Sequence, residues 1–296
     1  MYAEFEEKRF EQPLNYQLAD RHNLVHPSGQ VGEAILGFDA ALRTRRRSFW
    51  RRLGCSPLPG TFLEPWWWPQ FDQQPDVFPR VKFNVFVQSK RPEFLRGRRC
   101  KEWADWGTDY FRYFTVEHQQ NALAALAKRV SQTGVVMYAS PAFHTRRQLW
   151  EAVQQGDLVD KTNFADAQKL IGHGRYTYAV AGSSGKAYSE PTNIESANVE
   201  QAITSLRERT EGQRWDRFIA GLAQDMLAAI ETLEPGAPVR EAWHEMTDGI
   251  DQPQGMRRDL YRISAFLFLS VTSWMVGLDE PQGDAAQPLQ LAIPPQ

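Results

Sequence analysis

Residues 81–90 read Val-Lys-Phe-Asn-Val-Phe-Val-Gln-Ser-Lys, an apolar run that closes on an amide and an ammonium two positions apart. Side chains alternate between the faces of a strand, so this spacing predicts Gln88 and Lys90 on one face at the strand's end. Upstream lie two carboxylates, Glu33 and Asp39. Phosphodiester hydrolysis needs hard oxygen ligands around a divalent cation, with a second cation beside the attacking water or the developing charge. Glu33, Asp39, the Gln88 side-chain oxygen and the Ser89 backbone carbonyl are the candidate metal ligands. Lys90 would orient or activate water and stabilise charge on the phosphate. Glu33, Asp39, Gln88 and Lys90 are therefore the candidate catalytic set.

The elements that must position these groups can be read in order. Ser28 caps a short helix over 29–36, which carries Glu33 about one turn from its end. Gly37 breaks that helix, and 38–42 reads as the start of a strand, with Asp39 just past the turn. In the segment 43–52 six of ten residues are arginine, with Phe49 and Trp50 interleaved. Charges and aromatics in that mixture suit a phosphate backbone with stacking support, which makes Arg45, Arg46, Arg47, Arg51 and Arg52, with Arg91, the candidate nucleic-acid contacts. The opposing reading is a solvated basic face. Residues 57–79, proline-rich and containing Trp66, Trp67 and Trp68, read as an irregular insertion packed by its own aromatics.

Beyond the central strand, Pro92 ends the ladder because proline has no N–H to donate. Arg96, Arg98, Arg99 and Lys101 form a second basic cluster. Helical spacing of Val116, Leu123, Leu126 and Val130 predicts a helix over about 114–130, stopped before Gly134 and followed by a buried strand at 135–139. Strand, helix, strand at this spacing implies parallel pairing with a crossover helix. Further on, a helix over 146–153, one strand at 175–180, helices from 198 and a last helix over 255–278 are expected. The polar, proline-containing segment after 279 is expected to be a disordered tail.

Composition bounds the partners. With 34 basic and 36 acidic residues among 296, the net charge of −2 supplies no global attraction to nucleic acid, so any affinity must come from local patches. Cys55 and Cys100 make neither a disulfide framework nor a zinc site, and the six histidines show no metal-ligand spacing. His144 reads as a satisfied surface histidine. Gly182 to Lys186 is similar to a phosphate loop, but Val180 and Ala187 stand where glycine and the metal-binding Ser or Thr belong, so a surface turn is expected. No apolar leader opens the chain, and the longest apolar stretch, 263–278, falls short of the ~20 residues of a membrane span. A cytoplasmic protein with no membrane partner is expected.

Taken in order, Glu33 on a helix, Gly37-Phe38-Asp39 at a turn into a strand, Gln88-Ser89-Lys90 ending a strand, then helix and strand, resemble the core of the restriction-endonuclease-like PD-(D/E)XK superfamily. The resemblance covers roughly residues 28–140, about two-fifths of the chain. It implies an α/β fold with a mixed central sheet flanked by helices, followed by a mainly helical C-terminal region. It also implies Mg²⁺-dependent cleavage of DNA, with Mn²⁺ able to substitute, and catalytic roles at Asp39, Gln88 and Lys90. Glu33 would match the first-helix glutamate that some members add. Gln88 stands at the family's second acidic position, a substitution found in a branch that includes methylation-dependent restriction enzymes. A neutral ligand there weakens metal binding and gives Glu33 more weight. Gln119 or Gln120 resembles the helix glutamine of exonuclease-like branches. The domain reading that follows is a nuclease core over 1–150 with an insertion near 55–80, a helical sensing or assembly region over 151–278, and the tail 279–296. The expected function is a metal-dependent DNA endonuclease, an effector in bacterial restriction or antiphage defence. Cutting both strands would favour a homodimer, and a partner subunit is the other arrangement considered. The alternative is a non-catalytic nucleic-acid-binding or assembly subunit that retains the fold.

Overall fold

Seven consecutive residues, Phe83 to Ser89, are buried, so the apolar run forms an interior strand covered on both faces. The computed structural model describes residues 1–22, 24–25, 81–210, 215–247 and 255–278. Glu33, Asp39, Arg45, Arg46, Arg47, Arg51 and Arg52 lie outside them, as do the expected helix at 29–36, strand at 38–42, tryptophan insertion and tail.

In chain order the described residues form α1 (Glu7–His22), β1 (Leu24–Val25), β2 (Val81–Ser89), β3 (Glu93–Leu95), α2 (Trp103–Trp106), β4 (Tyr110–Phe114), α3 (Glu117–Arg129), β5 (Gly134–Pro141) and α4 (Arg146–Gln155). Then come β6 (Thr162–Asp166), β7 (Arg175–Tyr178), β8 (Ser184–Tyr188), β9 (Thr192–Glu195), α5 (Val199–Arg209), α6 (Trp215–Glu231), α7 (Pro238–Thr247), α8 (Met256–Ser270) and β10 (Ser273–Leu278). The fold is mixed α/β, with two five-stranded sheets flanked by helices, in the orders β1-β10-β2-β5-β6 and β3-β4-β7-β8-β9. β2 and β5 pair in parallel through the crossover that contains α3, as their spacing predicts. The second sheet is antiparallel throughout.

Alternation along β2 divides the core in two. Phe86, with Val136, Tyr138, Trp274 and Val276, faces α3, α6, α7, α8 and the second sheet. Phe83, Val85 and Val87 face the other way, toward Phe10, Leu14 and Leu18 of α1 and the apolar residues of α4 and α5.

Several elements depart from the expected pattern. Residues 7–22, for which no element was expected, are a helix despite the interior Pro13, because the stripe Phe10, Leu14, Leu18 is fully buried. The last helix stops at Ser270, where Val271 takes a left-handed backbone (φ 51°), and 273–278 turns into β10. Phe114 ends a strand rather than opening a helix. The region beyond 150, helical over much of its length, also contributes β6 to β10. Strands from both sides of residue 150 share each sheet.

Gly277 fixes how closely β10 lies against β2. It pairs with Phe83, and a Cβ placed there would stand 2.2 Å from the Phe83 ring. Trp274 also donates its indole N–H to the Asn84 side-chain oxygen at 2.8 Å, satisfying both polar groups inside the core. Gly277→Ala should lower unfolding free energy by about 1–3 kcal/mol, the usual cost of overpacking, and Phe83→Leu in the same chain should recover part of it. Urea unfolding of the parent and the two variants checks this; a Gly277→Ala chain as stable as the parent would mean that the ring simply moves aside.

Candidate functional site

The backbone of Lys90 is held by β5 although Lys90 lies beyond the strand. Its N–H donates to Ala139 O at 2.8 Å, and its carbonyl accepts from Ser140 Oγ at 3.0 Å. Ser140 Oγ in turn accepts from the Tyr178 hydroxyl at 2.7 Å. The ammonium lies 5.7 Å from the centroid of the Tyr138 ring, within range of a cation–π interaction.

The carboxylate whose charge bears on Lys90 is Glu7, in the first turn of α1. Burial raises the Glu7 carboxyl above its ordinary 4.5, with Lys90 and then the Arg91 N–H opposing the rise. Burial likewise lowers the Lys90 ammonium below its ordinary 10.5, with Glu7 opposing. The Arg91 N–H donates to Glu7 Oε2 at 3.3 Å, which ties the carboxylate to the chain leaving β2.

Glu7, Glu11 and Asn15 recur at intervals of four and so share one side of α1. Ser273 Oγ, at the start of β10, donates to Glu11 Oε1 at 2.9 Å and accepts from Asn15 Nδ2 at 2.9 Å. Two further oxygens, Ser89 Oγ and Asn15 Oδ1, are buried without a hydrogen-bond partner. The seam between α1 and the ends of β2 and β10 therefore carries carboxylates, an amide oxygen and hydroxyls beside a desolvated ammonium. These are hard oxygen donors of the kind that Mg²⁺ takes. Among the described residues, however, no three His, Cys, Asp or Glu side chains converge on one metal position.

The other expected site residues divide. Gln88 is buried and turned away from ligand duty: its Nε2 donates to Ser89 O at 3.0 Å, and its Oε1 accepts from Thr272 Oγ1 at 3.3 Å. The Ser89 carbonyl, expected as a metal ligand, is thereby already taken as an acceptor. Arg91 is committed to the N-terminal segment, donating to Ala3 O through Nε and Nη2, with its guanidinium over the Tyr2 ring. Gln120 is buried and donates to Ala167 O; it is not a solvated helix glutamine near the site. His144 stacks on Phe94 at 4.1 Å between ring centroids. The Gly182 to Ala187 stretch is largely strand β8, where Gly185 lies against the Tyr176 hydroxyl.

Glu7 and Glu11 were missed by sequence reasoning, although the interleaved stripes Glu7, Glu11, Asn15 and Phe10, Leu14, Leu18 are present in the chain. Pro13 hides them, since an interior proline costs an isolated helix about 3 kcal/mol. No helix among the described residues is long and apolar enough to cross a membrane. Comparison with family models, with curated proteins and with solved structures finds no match to this chain.

The pair has a direct stability signature. Glu7's raised value gives stability that is present below about pH 4.5 and lost as pH rises through the folded value. Lys90's lowered value gives stability that is present above about pH 10.5 and lost as pH falls through the folded value. At neutral pH both charges stand against the cost of burial. Glu7→Gln with Lys90→Met should therefore be as stable as the parent at pH 7, or more so by about 1–2 kcal/mol. Lys90→Met alone should lose stability as pH rises through the Glu7 titration. Urea unfolding across pH reads both, and a destabilised double variant would show the pair to be a net structural tie.

Proposed function

We propose that the chain is a Mg²⁺-dependent DNA endonuclease in which Lys90 is the working lysine and Glu7 the helix carboxylate that faces it. The observation that carries this reading is the partly desolvated ammonium at the end of a buried strand, held over the Tyr138 ring, with the Glu7 carboxylate bonded to the next residue of the chain. A lysine serving only as a surface ion pair keeps its charge in water; burial instead moves Lys90 toward the range where it can exchange a proton with water. Strand pairing on both edges of β2 fixes its backbone, so the ammonium starts from a rigid element.

In this reading Asp39, Glu33 and Glu7 would hold Mg²⁺, with Mn²⁺ able to substitute, and Ser89 Oγ is a further oxygen on the α1-facing side of β2. The ion would supply Lewis-acid charge at the phosphate. Lys90 orients the attacking water and meets the negative charge that develops on the phosphate. Glu7 keeps the ammonium protonated against burial. Gln88 ties the end of β2 to Thr272 and is not a ligand. An effector of bacterial restriction or antiphage defence, cytoplasmic and working as a homodimer or with a partner subunit, is the setting that fits such an activity.

The second reading is a non-catalytic DNA-binding or assembly subunit. The inward turn of Gln88 favours it, because one expected metal ligand is withdrawn. Nicking of supercoiled plasmid with Mg²⁺ or Mn²⁺ separates the two. The parent should nick, and Lys90→Ala, Asp39→Ala and Glu7→Ala should each slow nicking by about 10²-fold or more. No cleavage with either metal, with duplex binding intact, would assign the non-catalytic reading.

A further inference from the structure

We propose that the loop of residues 96–101 is a preorganised clamp for the phosphate backbone of duplex DNA; this rests on the nuclease reading. The loop reads Arg-Gly-Arg-Arg-Cys-Lys, four cations in six residues, in a chain whose net charge is −2. Arg96, Arg98, Arg99 and Lys101 are all exposed. Arg96 meets Asp109 at 3.6 Å, yet its side chain remains 82% exposed. Among the described residues no carboxylate pairs with Arg98, Arg99 or Lys101. Other arginines of this chain do collect such partners: Arg21 meets Asp160 and Glu200, Arg112 meets Glu93, and Arg240 meets Glu231. Adjacent unpaired cations repel one another, and a polyanion relieves that repulsion while releasing its counterions.

The backbone that carries these cations is fixed from within. Gly97 adopts φ +89° and donates its N–H to Asp109 Oδ1 at 3.3 Å. Cys100 N–H returns to Gly97 O at 3.1 Å, and Trp103 N–H to Cys100 O at 3.0 Å. Next to Lys101, Glu102 is 1% exposed and anchors the loop's far end. Its carboxylate accepts from the Tyr110 hydroxyl at 2.7 Å and pairs with Arg112 at 3.4 Å and Arg175 at 3.0 Å. A loop ordered in this way loses little backbone entropy when it meets a ligand.

Its place in the chain suits the role. Only β3 separates the loop from the Lys90 to Pro92 corner. Six residues at full extension span at most ~20 Å, so Arg96 lies within roughly six base-pair rises of Lys90. The loop would hold the backbone flanking the cut and read no base sequence.

Fluorescence anisotropy of a labelled duplex across a salt series, with the full chain, tests this. Arg98→Ala, Arg99→Ala and Lys101→Ala together should weaken binding about tenfold or more. They should also flatten the slope of log affinity against log salt by about 2–3, near 0.9 for each lost phosphate contact. Arg98→Lys with Arg99→Lys should keep the slope, which separates lost charge from lost folding. Lys90→Ala should fail to nick and flatten the slope by at most about 0.9, one contact. An unchanged slope in the triple alanine variant overturns the clamp and leaves the nuclease reading standing. A parent protein that binds no duplex at low salt overturns both.

Discussion

A strand covered on both faces and paired on both edges imposes its burial on whatever side chains it carries to its end. β2 is in that position, and the chemistry of its last residues follows from it. Asn84 must find the Trp274 indole, Gln88 must find Thr272 and a neighbouring carbonyl, and Lys90 leaves the ladder partly stripped of water. Glu7 answers that last demand incompletely, because it too is partly desolvated. Two opposite charges that each lose water gain much from a third group that completes their coordination. The seam at the end of β2 is therefore a place where structure alone leaves electrostatics unsettled.

The two sheets handle charge differently. The first sheet is largely apolar, and its buried polar groups divide between its faces: Ser273 bonds to Glu11 and Asn15 of α1, whereas Asn84 and Gln88 bond to Trp274 and Thr272. Beside the second sheet lies a charge network, in which Glu102, Glu93, Arg112 and Arg175 neutralise one another next to the Tyr110 hydroxyl. Among the described residues, Arg98, Arg99 and Lys101 of the adjoining loop take no part in that network.

How much of this was legible in the sequence depended on whether periodicity could be told from neighbouring signals. The parallel pair β2 and β5 was legible, since each is a continuous apolar run bounded by Pro or Gly with a helical pattern between. β10 was not: Ser-Trp-Met-Val-Gly-Leu continues the apolar run of α8, and a short apolar segment has no period that separates strand from helix. The shared face assigned to Gln88 and Lys90 assumed that the strand reached Lys90. It ends at Ser89, so the alternation stops one residue early and the two side chains meet different surroundings. α1 was hidden by Pro13 and by carboxylates that look like solvated charge until the fold buries them. Glu33 and Asp39, which the sequence pattern weighted most, lie outside the described residues, so their half of the site rests on pattern alone.

The pairing of β10 with β2 also sets an order of events during synthesis. Asn84 and Trp274, which bond across the two strands, are 190 positions apart. At about 5–20 residues per second, the ribosome makes β2 roughly 10–40 s before its partner exists. For that interval one edge of β2 lacks β10, and Thr272 and Ser273 cannot yet engage Gln88 and Glu11. Until then Asn84, Gln88 and Glu11 lack the partners that the finished fold gives them, so the polar groups of β2 and α1 are matched only when the last strand emerges.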